Sequence, residues 1–549
     1  MGRPRYLIVG IDGATFDVIR PLADAGHLPN LARLMREGVH GPLRSTIHPL
    51  TPQAWATFMT GTNPGKHGIF DFGRRAPGAY RIDLATSATR RVPGFWEALG
   101  RAGYTGGLLN LPMSYPPEPV RGFNVAGMHT PTLDRGTFPA DLHRDLLAAV
   151  PDYRIDVMCH WYAETPLFLA DVYRMMEARL AAAEYLYRTF RPDVFCPVFV
   201  GVDRVQHALW GAFQADVKGH GALAREIVRV YRRMDEITGR LLELVGDGTN
   251  VIVMSDHGFG DLTRDVYLNH FLAEAGYLRF DPAKVRAYRP PEPPPTDDPQ
   301  HSWHHRLFAD DGGAIPDDDA AVRAGKVPHR VRSFDTVDWK ATVAYAHGLF
   351  GNIYLNVHGR EPEGVVPRGR EYERVRDRIA ADLERLRDPE DGGLLCDRVY
   401  RREELYSGPA FDEAPDLLVR MRNYSYMTRG ACEFLGDSLT SPPVVNHTGN
   451  HRMDGILIAR GPDFAEGATV DGASLIDLAP TILYGCGVPL PIETDGQVLV
   501  STYKLEFSNA HRVTRAAPGP AARETGEADL SDEEAAQVRE RLRALGYLT

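Results

Sequence analysis

Five short apolar runs constrain this chain more than anything else in it: YLIVGID (6–12), YTGGLLNL (104–111), VFCPVFVGVD (194–203), NVIVMSD (250–256) and DGILIARG (454–461). Each has the length of one strand and is too uniformly apolar for a strand with a wet face. Between them lie stretches with a helical period, such as LFLADVYRMMEARLAAAEYLYRTF and ALAREIVRVYRRMDEITGRLLELV. Strands buried on both faces and alternating with helices predict an α/β fold, a mostly parallel central sheet with helices on both sides.

The alternation holds over 1–270 and returns over 440–505, which predicts one catalytic core interrupted by an inserted cap at 271–439. Within the cap, the proline- and acid-rich RPPEPPPTDDPQ (289–300) and FADDGGAIPDDDA (308–320) predict a loop over 285–322. Residues 506–549 read as a linker followed by a helix. In SDEEAAQVRERLRALGYL, Ser531 and Glu534 form a capping box, and Val538, Leu542 and Leu545 an apolar stripe that docks on the body.

Composition excludes several classes. A net charge of −11 gives no basic footprint for a nucleic-acid polymer. No apolar run is long enough to span a membrane, and the stretch after MGRPR is too short for a signal peptide. The five cysteines (Cys159, Cys196, Cys396, Cys432, Cys486) are scattered with no CxxC pair, so neither a disulfide framework nor a thiolate zinc site is expected. These features predict a soluble, cytoplasmic protein. Oligomeric state has no sequence signal.

Three of the apolar runs close on an acid: Asp12, Asp203 and Asp256. In open parallel sheets, ligands bind at the carboxyl ends of strands. Three carboxylates gathered there repel one another, and cations relieve the repulsion. His257 adjoins Asp256, and His207 follows Asp203 by four residues, which puts both on one helical face. A mixed carboxylate and imidazole set suits zinc or manganese better than calcium or magnesium. Taken singly, each acid serves equally well as a helix N-cap, and each histidine as a satisfied core residue. The combination in register is what points to metal.

The segment STIHPLTPQAWATFMTGTNPGKHGIFDF (45–72) adds a hydroxyl. Pro52 starts a helix and leaves Thr51 at the N-cap, where free N–H groups and the helix dipole favour a phosphate. Thr51 either caps that helix and no more, or, beside metals, becomes an attacking alkoxide.

Taken together and in this order, VGIDG, TP…MTGTNPGKHGI, DRVQH, SDHGF and GNHRMDG resemble the alkaline phosphatase superfamily, and within it the type I phosphodiesterase/nucleotide pyrophosphatase branch. LNLPMSYPPEPVRGFNVAGMHTP and YLNVHGREPEGVV are similar to "predicted phosphohydrolase" proteins of bacteria and archaea. The resemblance implies two divalent ions, zinc or else manganese. Asp12, Asp256, His257 and the Thr51 oxygen would hold one; Asp203, His207 and His451 would hold the other. It adds His451, in a loop before the DGILIARG strand, and prefers it over His447. It also implies attack by Thr51 through a phospho-threonine and a small phosphoester or nucleotide-like substrate.

One departure bears on the substrate. Where nucleotide pyrophosphatases hold a phosphoryl oxygen with asparagine, this chain has Phe72, preceded by Asp71. Lys66, Asp71 and Arg74 are candidate substrate contacts, with Arg75 a further cation; the three cations are equally readable as solvated surface. Diester hydrolysis is the expectation, with a phosphomonoesterase, a phosphomutase-like enzyme or a non-catalytic phospho-ligand-binding protein as alternatives. TPQAW lacks the Cys or Ser of a sulfatase motif. Specificity is expected in the cap and in the loops near 125–165.

Overall fold

The computed structural model describes residues 5–76, 78–158, 162, 164–216, 221–289, 314–328, 331–428, 438–443, 447–517, 534–536 and 538. Its sheet is built on Tyr6–Ile11, in which every residue is buried. Val194–Phe199 and Asn250–Met254 flank this strand, both parallel to it. Across the nine-stranded sheet the order is Ala468–Thr469, Val39–Arg44, Asp454–Arg460, Asn250–Met254, Tyr6–Ile11, Val194–Phe199, Gly106–Leu111, Gly122–Ala126 and Thr137–Phe138.

The middle of the sheet is parallel, as the continuous apolar runs require. Asp454–Arg460 instead joins antiparallel, both to Asn250–Met254 and to Val39–Arg44. Thr137–Phe138 closes the far edge, also antiparallel. The outer strands carried no clear pattern in the sequence. VHGPLR (39–44) contains a Gly-Pro pair that reads as a turn, which an edge-proximal strand tolerates.

Helices pack in two groups. Pro29–Glu37, Thr165–Phe190, Gly201–Ala215 and Ala224–Val245 contact one another, as do Thr51–Thr60, Phe95–Arg101 and Leu478–Gly485. The second group seals the sheet closely: a Cβ on Gly10 would lie 2.7 Å from the Trp55 ring, so only glycine lets this helix approach the central strand. Each Leu, Ile, Val or Phe buried here contributes about 1.5–3 kcal/mol.

The segment after 265 is more regular than its sequence suggests. Ala344–Ala346, Asn352–Leu355, Leu417–Met421 and Cys396–Arg401 form a four-stranded antiparallel sheet, and the helix Arg370–Glu384 packs on the last of these. The buried members of its apolar cluster run from Val266 to Tyr426, with Tyr80 and Leu439 packed against them from outside that span. Two of these strands are only three or four residues long and CDRVYR is half polar, so no apolar run marks them in the sequence. The expected loop over 285–322 is also wrong at both ends. Pro282–Ala287 is a helix, and Asp318 caps another at Asp319–Arg323. Most of the proline-rich stretch lies outside the described residues, as do Ser531, Leu542 and Leu545. In the tail, Glu534, Ala535, Ala536 and Val538 are helical, and Val538 is buried.

Cys196, Cys396 and Cys486 are buried and free; Cys159 and Cys432 lie outside the described residues. Among the described residues, no helix is long and apolar enough to cross a membrane.

Candidate metal centre and active site

The site forms where the central strands end. Tyr6–Ile11 leads directly into Asp12, and Gly13 at φ +71 turns the chain away. Asn250–Met254 ends one residue before Ser255, followed by Asp256 and His257. Asp203 is placed differently from expectation. Its strand stops at Phe199, and Asp203 sits in the first turn of the helix Gly201–Ala215, with His207 one turn on. The i, i+4 spacing does put them together, with His207 Nε2 3.4 Å from Asp203 Oδ1.

His451 arrives from a strand, not the expected loop. Gly449–Arg452 pairs antiparallel with Gly258–Asp261, in a register that sets His451 opposite Phe259. His451 Nε2 lies 3.1 Å from His207 Nε2 and 3.6 Å from Asp203 Oδ1. His447 instead stacks on the His207 ring with centroids 4.9 Å apart.

Thr51 also departs from expectation by one position. Leu50 is the N-cap and Thr51 the first residue of the helix Thr51–Thr60, with no side-chain cap bond. Its Oγ1 lies 3.4 Å from His257 Nε2. That same nitrogen is 3.4 Å from Asp12 Oδ1 and 3.4 Å from Asp256 Oδ2. All seven residues singled out in the sequence are thus brought together.

The histidines are oriented from behind. Nδ1 of His207, His257 and His451 faces the carbonyls of Gly449, Gly258 and Pro49 at 3.0, 3.1 and 2.8 Å. Each Nδ1 therefore carries the proton and donates it, leaving an Nε2 lone pair aimed inward. Those lone pairs face carboxylate oxygens, an arrangement that repels unless a cation lies between. Asp12 Oδ1, Asp203 Oδ1 and both oxygens of Asp256 are buried without a hydrogen-bond partner, a cost that native proteins accept where a ligand is bound. Asp203, His207 and His451 offer ligand atoms within 4.8 Å of one another, and so do Asp12, Asp203 and His257. The donor set fits two divalent ions, with Asp203 near both.

Titration follows from this crowding. Burial, then the charge of Asp203, pushes the Asp12 carboxyl up to about 8. Burial, with Asp12 and Asp203, holds Asp256 well above the carboxylate range. Burial lowers His257 to about 4 and holds His451 well below the imidazole range. Burial would raise Asp203 too, but positive charge beside it, from His207 when that ring is protonated and from the Arg204 guanidinium bonded to Oδ2, holds it well below the carboxylate range.

Two supporting residues had no sequence signal. Trp55 Nε1 donates to Asp12 Oδ2 at 3.2 Å. Arg204 bonds Asp203 Oδ2 and also Asp156, at 2.8 Å. Only the fold reveals them, because Trp55 reads as core and Arg204 as the neighbour of a ligand.

The candidate substrate contacts fare unevenly. Lys66 Nζ is held by Asp495 and the Glu493 carbonyl. Arg75 pairs with Glu361 and lies over the Tyr354 ring. Arg74 sits on the short strand Gly73–Arg75 with Nε buried and without a partner. Asp71 is buried and accepts from the amides of Leu349 and Phe72 at 2.9 and 2.6 Å; burial pushes it up to about 6. It thus ties the catalytic segment to the loop at 348–351. Asp71→Ala should cost about 1–3 kcal/mol by leaving those buried amides unpaired, and Asp71→Asn less, as urea denaturation would measure.

Residues 6–432 match the family model of type I phosphodiesterase / nucleotide pyrophosphatase. His451 lies beyond the matched span. A solved phosphonoacetate hydrolase from Sinorhizobium meliloti 1021, crystallised with phosphonoformate, superposes with a TM-score of 0.50 at 16% identity. That alignment covers 88% of this chain and 96% of the hydrolase, a likeness of fold. Comparison with curated proteins gave no match. With most of its length matched, this chain belongs to the type I phosphodiesterase / nucleotide pyrophosphatase family.

Proposed function

We propose that the protein is a two-metal phosphodiesterase that works through a phospho-threonine at Thr51. The observation that carries this reading is the convergence of three carboxylates and three inward-facing Nε2 atoms beside the Thr51 hydroxyl. Asp12, Asp256, His257 and the Thr51 oxygen would hold one cation, and Asp203, His207 and His451 the other. Zinc suits this mixed set best, then manganese. Bound there, the cations supply positive charge to an in-line displacement at phosphorus.

The chain's own residues do the rest. Thr51 Oγ1 attacks phosphorus as the bond to one ester oxygen breaks; that alcohol departs with the proton of the Thr51 hydroxyl, and the phosphoryl group, still carrying its second ester, stays on Thr51 as the phospho-threonine. Thr51 opens its helix, so free backbone N–H groups of the first turn are available to the phosphoryl oxygens. Water then attacks the same phosphorus, frees Thr51 and releases a monoester. Trp55 and Arg204 are positioning residues that fix Asp12 and Asp203. We read 271–439 as the cap that shapes the pocket for a small phosphoester or nucleotide-like substrate.

Diester preference is supported by how the nearby cations are engaged. A monoester carries an extra negative charge and calls for another cation at phosphorus. Lys66 and Arg75 are held elsewhere, which leaves Arg74. With protein purified without chelator and its metal quantified, kcat/KM on matched p-nitrophenyl esters should favour the diester by about tenfold or more. A monoester preference that disappears in Arg74→Ala would reverse the assignment and identify Arg74 as the phosphate clamp.

A further inference from the structure

The turn that follows Asp12 is closed by a ring of hydrogen bonds whose side chains supply no metal ligand. Gln206 Nε2 donates to the Gly13 carbonyl at 2.7 Å. Gln206 Oε1 accepts from the Tyr231 hydroxyl at 2.8 Å, and the Tyr231 oxygen accepts from the Thr15 amide at 3.1 Å. The direction of every link is forced. A carbonyl only accepts, so Gln206 presents its amide nitrogen to Gly13, which leaves its oxygen for Tyr231. Gln206 and Tyr231 are both buried, so a broken link leaves polar groups unpaired in a dry interior.

The ring joins the two halves of the metal centre. Gln206 lies on the helix Gly201–Ala215, directly before His207 and three residues after Asp203. Gly13 directly follows Asp12 and is packed against the other half: a Cβ placed on it would lie 3.1 Å from both Cβ and Oδ1 of Asp203. Tyr231 reaches in from the neighbouring helix Ala224–Val245, and Thr15 caps the helix Phe16–Asp24 that continues the turn. Asp12 and Asp203 repel each other when both are ionised, and a turn free to move would relieve that repulsion by drawing Asp12 away. The ring opposes this movement. Resting on the two-metal reading, we propose that Gln206 and Tyr231 are positioning residues that hold Asp12 at a fixed distance from Asp203 and His207 and so set the spacing of the two cation sites. They act through the backbone of 13–15 and through the helix that carries Asp203 and His207. Loss of such outer partners weakens metal binding by about 10–100-fold.

The test uses the full chain, stripped of metal and titrated with manganese. Calorimetry counts the ions and gives their affinities. Electron paramagnetic resonance gives the magnetic coupling between paired ions, which falls steeply with their separation. Tyr231→Phe deletes one hydroxyl and opens the ring on both sides of residue 231. Gln206→Met keeps the side chain's approximate volume and opens the ring on both sides of residue 206. The control is Thr238→Val, on the same helix as Tyr231, where the Thr238 hydroxyl donates to the Met234 carbonyl of that helix.

Each ring variant should bind at least one of the two ions about tenfold more weakly or worse. The coupling should be reduced or spread over several values, while Thr238→Val matches the wild type in both readings. Urea denaturation of the metal-free proteins isolates a merely structural role, which would lower stability and leave affinity and coupling alone. If Gln206→Met does not fold, Tyr231→Phe decides. Affinity and coupling unchanged in the folded ring variants, whatever stability they lose, would overturn the proposal while leaving the two-metal reading in place. Wild-type protein that takes up fewer than two ions would overturn the two-metal reading itself, and the spacing device with it.

Discussion

Thr51→Ala should abolish phosphodiester turnover, lowering kcat by roughly 10^4-fold or more, while leaving metal content and folding nearly intact. The separation is expected because Thr51 makes no capping bond, so little helix stability is at stake; even a true N-cap contributes only about 1 kcal/mol. Its Oγ1 contacts His257 Nε2 at 3.4 Å, the limit of a hydrogen bond. The remaining carboxylates and imidazoles still supply ligands, so elemental analysis of the variant should match the wild type. Retention of more than about a tenth of the activity would mean that water, not Thr51, attacks phosphorus. Acid-quenched wild-type enzyme should also yield a phosphorylated peptide containing Thr51, and the variant none.

Chelation should remove activity and also change how stability depends on pH. The metal-free fold holds Asp12 as a protonated acid up to about 8, against an ordinary value of 3.8, because it is buried beside Asp203. Between those values the native state keeps a proton that the unfolded chain has released. Stability therefore falls as pH rises through this window, the reverse of a carboxylate stabilised by a salt bridge. Asp256, raised for the same reasons, adds to the slope. Bound cations would favour the ionised carboxylates, and metal affinity grows as protons leave. Chelated protein should therefore melt several degrees below the zinc-loaded form near about pH 8, with a smaller gap near about pH 6. If the chelated protein grew more stable with rising pH, or ignored added zinc, the carboxylate cluster would not be a metal site.

The sequence by itself determined the five adjacent strands at the middle of the sheet, and the physical reason is burial on both faces. A strand covered on both sides must be apolar throughout, so YLIVGID and NVIVMSD declare themselves locally, along with the acids that end them. The i, i+4 pair Asp203 and His207 was legible for a similar reason, since one helix carries both. What depends on chain segments meeting from far apart was not legible. His451 enters the centre because Gly449–Arg452 pairs with Gly258–Asp261, a register that no local pattern encodes. Trp55 and Arg204 carry no functional signal until the fold aims them at Asp12 and Asp203. Two cap strands are only three or four residues long, and CDRVYR is half polar, so no continuous apolar run announces them. Even the tail, whose apolar stripe predicted only that it docks, was located by tertiary structure: Val538 shares a cluster with Leu50 and Phe350, because only packing decides which apolar surface a short stripe covers.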